Sequence, residues 1–174
     1  MKKVVITGPE STGKSALSAE LAQRLNTIYV PEIAREYIEK LPRPYTEDDL
    51  LKIAMLQCAA EDEAAQSEPE ILICDTDMLV MKIWSEVKYG RVHPFILDQY
   101  RRRTYQLTLL MAIDLPWEED PLREHPLERQ DLFNRYEKQI RERQTPFEII
   151  HGTGAERTEN AIAALRKHRL LRED

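Results

Sequence analysis

The stretch Gly8-Pro9-Glu10-Ser11-Thr12-Gly13-Lys14-Ser15 fits the pattern G-x-x-x-x-G-K-[ST], and it limits the fold more than any other feature of the chain. The apolar run from Lys2 to Thr7 precedes it and reads as a buried strand. Lys14 to Leu25 follows and reads as a helix, with Ala16, Leu17, Leu21, Ala22 and Leu25 on one side. A strand entering the loop and a helix leaving it is the setting in which this pattern wraps phosphates. Gly8 and Gly13 allow a tight turn that brings N–H groups close to an anion. The helix N-terminus adds partial positive charge. Ser11 and Thr12 fall inside the loop. Lys14 is placed to reach the β- and γ-phosphates, and the Ser15 hydroxyl to ligate Mg²⁺.

The rest of the chain alternates strands with helices. Spacing predicts a strand at 27–30 ended by Pro31, a helix at 33–41, and a long helix from Thr46 to about Ser67 with Asp49 near the capping-box position. Ile71-Leu72-Ile73-Cys74 is a continuous apolar run ending at Asp75, as in a buried parallel strand. Helices at 76–89, ended by Gly90, and at 94–103 follow, then a strand at 107–113. Residues 114–129 are charged, hold Pro116, Pro121 and Pro126, and read as a lid. A helix at 130–143, a strand at 147–150 and a helix at 158–169 complete the chain. This order predicts a single α/β domain over residues 1–174, with a five-stranded parallel sheet covered by helices on both faces.

Composition narrows the function. The net charge of −6 argues against a general nucleic-acid binder, and Arg101-Arg102-Arg103 reads as a solvated helix end. Cys58 and Cys74 lie in apolar stretches without metal spacing, which fits free thiols in a reducing compartment. No signal peptide and no apolar run of membrane-spanning length is visible, so a cytoplasmic protein is expected. With five glycines, none preceded at the third position by Asp after the loop, and no N-K-x-D, a guanine-nucleotide switch is disfavoured.

Asp75 ends its strand as the second P-loop motif does, where an Asp helps hold Mg²⁺. Hydrolytic motors place Glu directly after that Asp to orient water, whereas Thr76 stands here. This favours phosphoryl transfer to a bound hydroxyl. A transferring site must exclude water, and a lid carrying Arg123 and Arg129 would do so while stabilising charge on the moving phosphoryl group.

A carboxylate must orient the acceptor hydroxyl. Glu32, after the second strand, and Asp77, two past Asp75, both stand at strand ends where ligands of open parallel sheets gather. Each has an alternative as a helix-start carboxylate. Arg35 would hold substrate or pair with Glu32 or Glu39. Gln57 interrupts the apolar stripe Leu50, Ile53, Ala64 and would read a substrate amide or sugar hydroxyl, or serve as a core amide. Trp84 reads as core, and Trp117, at the start of the lid, as a ring that would stack on a base or pyridinium. Gly152 and Thr153 would hold the adenine edge. Arg157 stands where a third glycine would be, so no dinucleotide fingerprint is present.

Taken together, "ITGPESTGKS", "YVPEIAREYI", "ILICDTD", "KIWSEVKYG" and "DLPWEEDPLR" resemble the ribosylnicotinamide kinase domain of the bacterial NAD-salvage NadR family. The resemblance runs over nearly the whole chain in motif order. It implies a P-loop NTPase fold of kinase type, ATP as donor, Mg²⁺ as cofactor and nicotinamide riboside as the small-molecule acceptor, giving nicotinamide mononucleotide. It also favours Glu32 as the acceptor carboxylate. NadR carries an adenylyltransferase domain and often a helix-turn-helix domain. The sequence begins at the P-loop strand, so adenylylation and repression are expected to be absent. The alternatives are a kinase for another nucleoside and a nucleotide-binding sensor with slow turnover.

Overall fold

The computed structural model describes residues 1–118 and 128–171. In chain order the elements are β1 (Lys2–Thr7), α1 (Lys14–Arg24), β2 (Tyr29–Val30), α2 (Ile33–Glu39), α3 (Glu47–Ala65), β3 (Ile71–Asp75), α4 (Met78–Tyr89), α5 (Pro94–Arg102), β4 (Leu107–Met111), α6 (Arg129–Glu142), β5 (Phe147–Ile150) and α7 (Gly154–Lys167). The five strands form one sheet in the order β2-β3-β1-β4-β5. Every neighbouring pair is parallel.

Alternation along β1 divides the core. Val4 and Ile6 face α1 and α7 and pack with Leu17, Leu21, Ala161 and Leu165. Val5 faces the other way and packs with Val30, Leu72, Cys74 and Tyr105. A larger cluster joins α2 to α6, with Ile53, Met81, Ile83 and Ile96 fully buried. β3 and β4 are buried along their whole length, which explains their unbroken apolar sequences. The architecture is the α/β P-loop fold that the alternation of elements predicts.

Several boundaries differ from the sequence expectation for local reasons. The Thr27 N–H is taken by the Ala22 carbonyl at the end of α1, so β2 begins later and is only two residues long. Thr76 adopts φ 70°, which delays α4 to Met78. Thr153 takes the extended N-cap position of α7, so that helix begins at Gly154, four residues earlier than the periodicity indicates. Asp49 does cap α3: its Oδ2 accepts from the Thr46 N–H at 2.8 Å and from the Thr46 hydroxyl at 2.9 Å. The Arg43 guanidinium beside it holds the Asp49 carboxyl well below the usual carboxylate range. Arg103 does not end as a solvated residue, because it pairs with Asp62 and Glu61 at 2.8 and 3.2 Å.

Candidate active site

The register places Ile6 beside Asp75, so the chain leaves β1 and β3 at the same end of the sheet. A cavity of about 380 Å³ opens there, lined by residues 8–15, Glu32 and Arg35, by Val80, Ile83, Trp84 and Val87 of α4, and by Leu132 and Tyr136 of α6. Its volume is within the range of small-molecule sites.

The phosphate loop needs both of its glycines. Gly8 has φ 138°, and a Cβ there would lie 3.3 Å from the Met111 N and O atoms. Gly13 has φ 78°, and a Cβ would lie 3.0 Å from Leu115 Cδ1 and 3.2 Å from Arg157 Nη1. Within the loop, Lys14 Nζ and the Thr12 hydroxyl both donate to the Pro9 carbonyl, at 2.9 and 2.8 Å. Gly13 caps α1, so the first amides of that helix face the loop.

Asp75 is 1% exposed, and neither carboxylate oxygen has a hydrogen-bond partner among the described residues. Burial pushes its carboxyl up to about 6. The Glu32 charge adds to the rise, while Ser15 and Lys14 oppose it. A buried carboxylate with two unmet oxygens beside a hydroxyl is a hard-oxygen donor set that suits Mg²⁺. No group of three or more His, Cys, Asp or Glu residues that could hold a metal occurs among the described residues.

Glu32 occupies the N-cap position of α2 with φ −68° and ψ 110°, yet its side chain makes no cap hydrogen bond and lines the cavity. Gln57 fixes the peptides on either side of it: Nε2 donates to the Pro31 carbonyl at 3.1 Å, and Oε1 accepts from the Ile33 N–H at 2.9 Å. Gln57 is 3% exposed and does not line the cavity, so it serves the backbone around Glu32. Arg35 lines the cavity and lies 4.0 Å from Glu39 one helical turn on.

Asp77 stands elsewhere. It is 4% exposed, accepts from the Thr7 hydroxyl at 3.3 Å and does not line the cavity. Burial pushes its carboxyl up to about 6 against the pull of Arg143. The left-handed Thr76 between the two aspartates is unusual for a β-branched residue and gives them different surroundings.

At the rim, Arg129 Nη1 donates to the Leu115 carbonyl at 2.9 Å and to the Ser11 carbonyl at 3.3 Å, and its guanidinium lies 5.8 Å from the Trp117 ring centre. Trp117 is thus engaged with Arg129 and is not among the cavity-lining residues. Arg123 lies outside the described residues. Gly152 and Thr153 also do not line the cavity; the Gly152 N–H donates to Asp114 Oδ2 at 2.8 Å.

Three residues at or around the site went unread in the sequence. Trp84, expected in the core, forms part of the cavity wall while its inner edge packs on the α2–α6 cluster. Its Nε1 donates to the Tyr45 hydroxyl at 2.9 Å, and the two rings meet edge to face at 5.2 Å. Tyr136 lines the cavity but shares its helical spacing with Leu132 and Ile140, a pattern that reads as core. Arg157, noted only for not being glycine, is buried against the phosphate loop.

Comparison with known proteins places the chain. It is 31% identical over 132 residues to the trifunctional NAD biosynthesis/regulator protein NadR of Salmonella typhimurium, a match covering 71% of this chain and 31% of that protein. The chain therefore spans about a third of the length of this curated relative. Two solved NadR structures share the fold. One, in complex with NR, has a TM-score of 0.83 at 20% identity, covering 99% of this chain and 53% of that one. The other, in complex with NAD and AMP-PNP, has a TM-score of 0.81 at 22% identity, covering 99% and 51%. Residues 3–157 match the family described as an AAA domain, and the chain belongs to that family of P-loop proteins.

Proposed function

We propose that this chain transfers the γ-phosphoryl group of Mg·ATP to a hydroxyl of nicotinamide riboside, giving nicotinamide mononucleotide and ADP. The observation that carries this reading is the single cavity in which the phosphate loop and the Glu32 carboxylate meet an apolar wall of Val80, Ile83, Trp84 and Tyr136. The loop end suits a polyphosphate and the apolar end suits a flat ring. The likeness to NadR, one structure of which holds NR and another AMP-PNP, supports the same donor and acceptor.

In this reading Glu32 orients the acceptor hydroxyl and takes its proton. The acceptor oxygen forms a bond to the γ-phosphorus while the bond to the β-phosphate oxygen breaks, and ADP leaves. Lys14 and the α1 amides carry charge on the phosphates, and Gln57 keeps Glu32 in place. Arg129, at the start of α6, would serve the transferring group together with Arg123. Ser15 and Asp75 would hold Mg²⁺, which neutralises phosphate charge when bound. Asp77 accepts from Thr7 away from the cavity, so the base role is given to Glu32.

The test is ADP formation from Mg·ATP with nicotinamide riboside, with natural nucleosides and with no acceptor. Saturable turnover with nicotinamide riboside alone is the expected result. Equal turnover with other nucleosides would move the acceptor class, and none above the acceptor-free blank would overturn the kinase reading. Glu32→Gln should lower kcat ~10²–10⁴-fold with ATP binding retained. A small loss there beside a large one in Asp77→Asn would transfer the base role to Asp77.

A further inference from the structure

The phosphate loop is held in shape by donors to its outward carbonyls. The Pro9 carbonyl accepts from Thr12 and Lys14, and the Ser11 carbonyl from Arg129. The Gly13 carbonyl accepts from the Leu17 amide, and the Lys14 carbonyl from the Ser18 hydroxyl. Thr12 itself is 1% exposed, and its carbonyl accepts from Nη1 of Arg157, a residue of the last helix. A buried carbonyl in such a loop must be turned away from the anion and still be satisfied.

Arg157 is 4% exposed and binds more than the loop. Its Nε donates to the Gly152 carbonyl at 2.6 Å. Its Nη2 lies 3.8 Å from Asp114 Oδ2 and has no hydrogen-bond partner among the described residues. Asp114 is itself shared, accepting from the Gly152 N–H at 2.8 Å and lying 3.5 Å from His151 Nδ1. One guanidinium therefore joins the phosphate loop, the segment after β4 and the turn before α7. The packing is close, since the place of a Gly13 Cβ is only 3.2 Å from Arg157 Nη1. Burying a guanidinium with an incomplete set of partners costs free energy that an apolar side chain would avoid. A residue that only filled space would not carry that cost.

We infer that Arg157 is a positioning residue of the reaction. It holds the Thr12–Gly13 peptide with its carbonyl away from the phosphate site, so that the amides that follow face the nucleotide. It does not line the cavity and acts through the loop. The inference rests on the kinase reading for its catalytic consequence, but its effect on nucleotide binding does not need turnover. Without the guanidinium, the Thr12 carbonyl loses its donor, and the peptide is free to rotate its oxygen toward the phosphates. Among the described residues the acceptor end, built on α2, α4 and α6, has no bond to Arg157, so donor and acceptor binding should separate.

The experiment compares wild type, Arg157→Met and Arg157→Lys by titration calorimetry with Mg·ATP and, separately, with nicotinamide riboside, alongside steady-state kinetics and thermal melting. Arg157→Met, which cannot donate, should raise both Kd and KM for Mg·ATP about 10- to 100-fold. The acceptor Kd should stay within about two-fold. Arg157→Lys keeps the charge but lacks the fork that spans the Thr12 and Gly152 carbonyls, and should fall between. ATP affinity within about two-fold of wild type in folded Arg157→Met would overturn the inference. So would equal weakening of both ligands, the mark of a purely structural role. If Arg157→Met does not fold, Arg157→Lys decides on the same criteria. A wild type that binds Mg·ATP but transfers to no acceptor would remove the kinase reading and leave the Arg157 titrations valid.

Discussion

Glu61 of α3 and Asp75 of β3 are both buried carboxylates, and they are treated in opposite ways. Glu61, 3% exposed, accepts from Lys3 Nζ at 2.9 Å and from the Tyr105 hydroxyl at 2.8 Å, and pairs with Arg103 at 3.2 Å. Asp75, 1% exposed, has no hydrogen-bond partner for either oxygen among the described residues. The first lies near Lys3 at the start of β1, and the second sits opposite Ile6 near that strand's end. A satisfied buried network specifies and rigidifies a fold, while an unmet buried group is kept where a ligand completes it. One strand thus runs from a closed polar joint to an open one.

The comparison is broken most directly at the open end. Asp75→Asn should lower phosphoryl transfer ~10²–10³-fold, with the melting temperature of the ligand-free protein unchanged or raised. A strongly destabilised variant would mean that Asp75 is structural like Glu61. At the closed end the effects reverse. Glu61→Gln leaves Lys3 and Arg103 without their shared countercharge and should cost about 3 kcal/mol in urea unfolding, with turnover per folded molecule unchanged.

Acidity sharpens the contrast. The Asp75 carboxyl is raised to about 6 in the fold, above its ordinary 3.8, so the protonated form is the one that folding favours. Its contribution to stability is full below about pH 4 and is lost as pH rises through about 6. Ligand-free wild type should therefore lose roughly 2 kcal/mol relative to Asp75→Asn between pH 4 and 7, measured by denaturant titration at each pH. A constant difference would show that the burial of Asp75 is not what sets its titration. The smallest effect is expected from Tyr105→Phe. It removes one of the three groups on Glu61 and should cost about 1 kcal/mol with activity intact.

The sheet and the phosphate loop were legible in the sequence because their signals are local. An unbroken apolar run marks β3, and the G-x-x-x-x-G-K-S spacing carries the loop with it. Features built between distant segments were less so. Gln57 interrupts an apolar stripe, which marks it as unusual, but its partners Pro31 and Ile33 belong to another element. Trp84 lines the cavity as well as packing on the core, because helical spacing cannot say which side of α4 faces a cavity. Arg157 gave no signal at all, since the carbonyl that it serves is 145 residues away. Strand-end position alone does not separate Glu32 from Asp77, which only the resemblance ranked; the fold puts Glu32 on the cavity and Asp77 against Thr7.

The chain has two tryptophans, and the fold gives them different stations: Trp84 in the cavity wall against Tyr45, and Trp117 beneath Arg129 at the rim. Each indole is thus a built-in fluorophore with its own neighbourhood. With either one replaced by Phe, the emission of the other reports a single region. Trp84 would follow filling of the apolar end, and Trp117 would follow any change in the Arg129 contacts with Ser11 and Leu115. Stopped-flow traces from the two single-tryptophan proteins would give the order in which acceptor and nucleotide arrive, with no label attached.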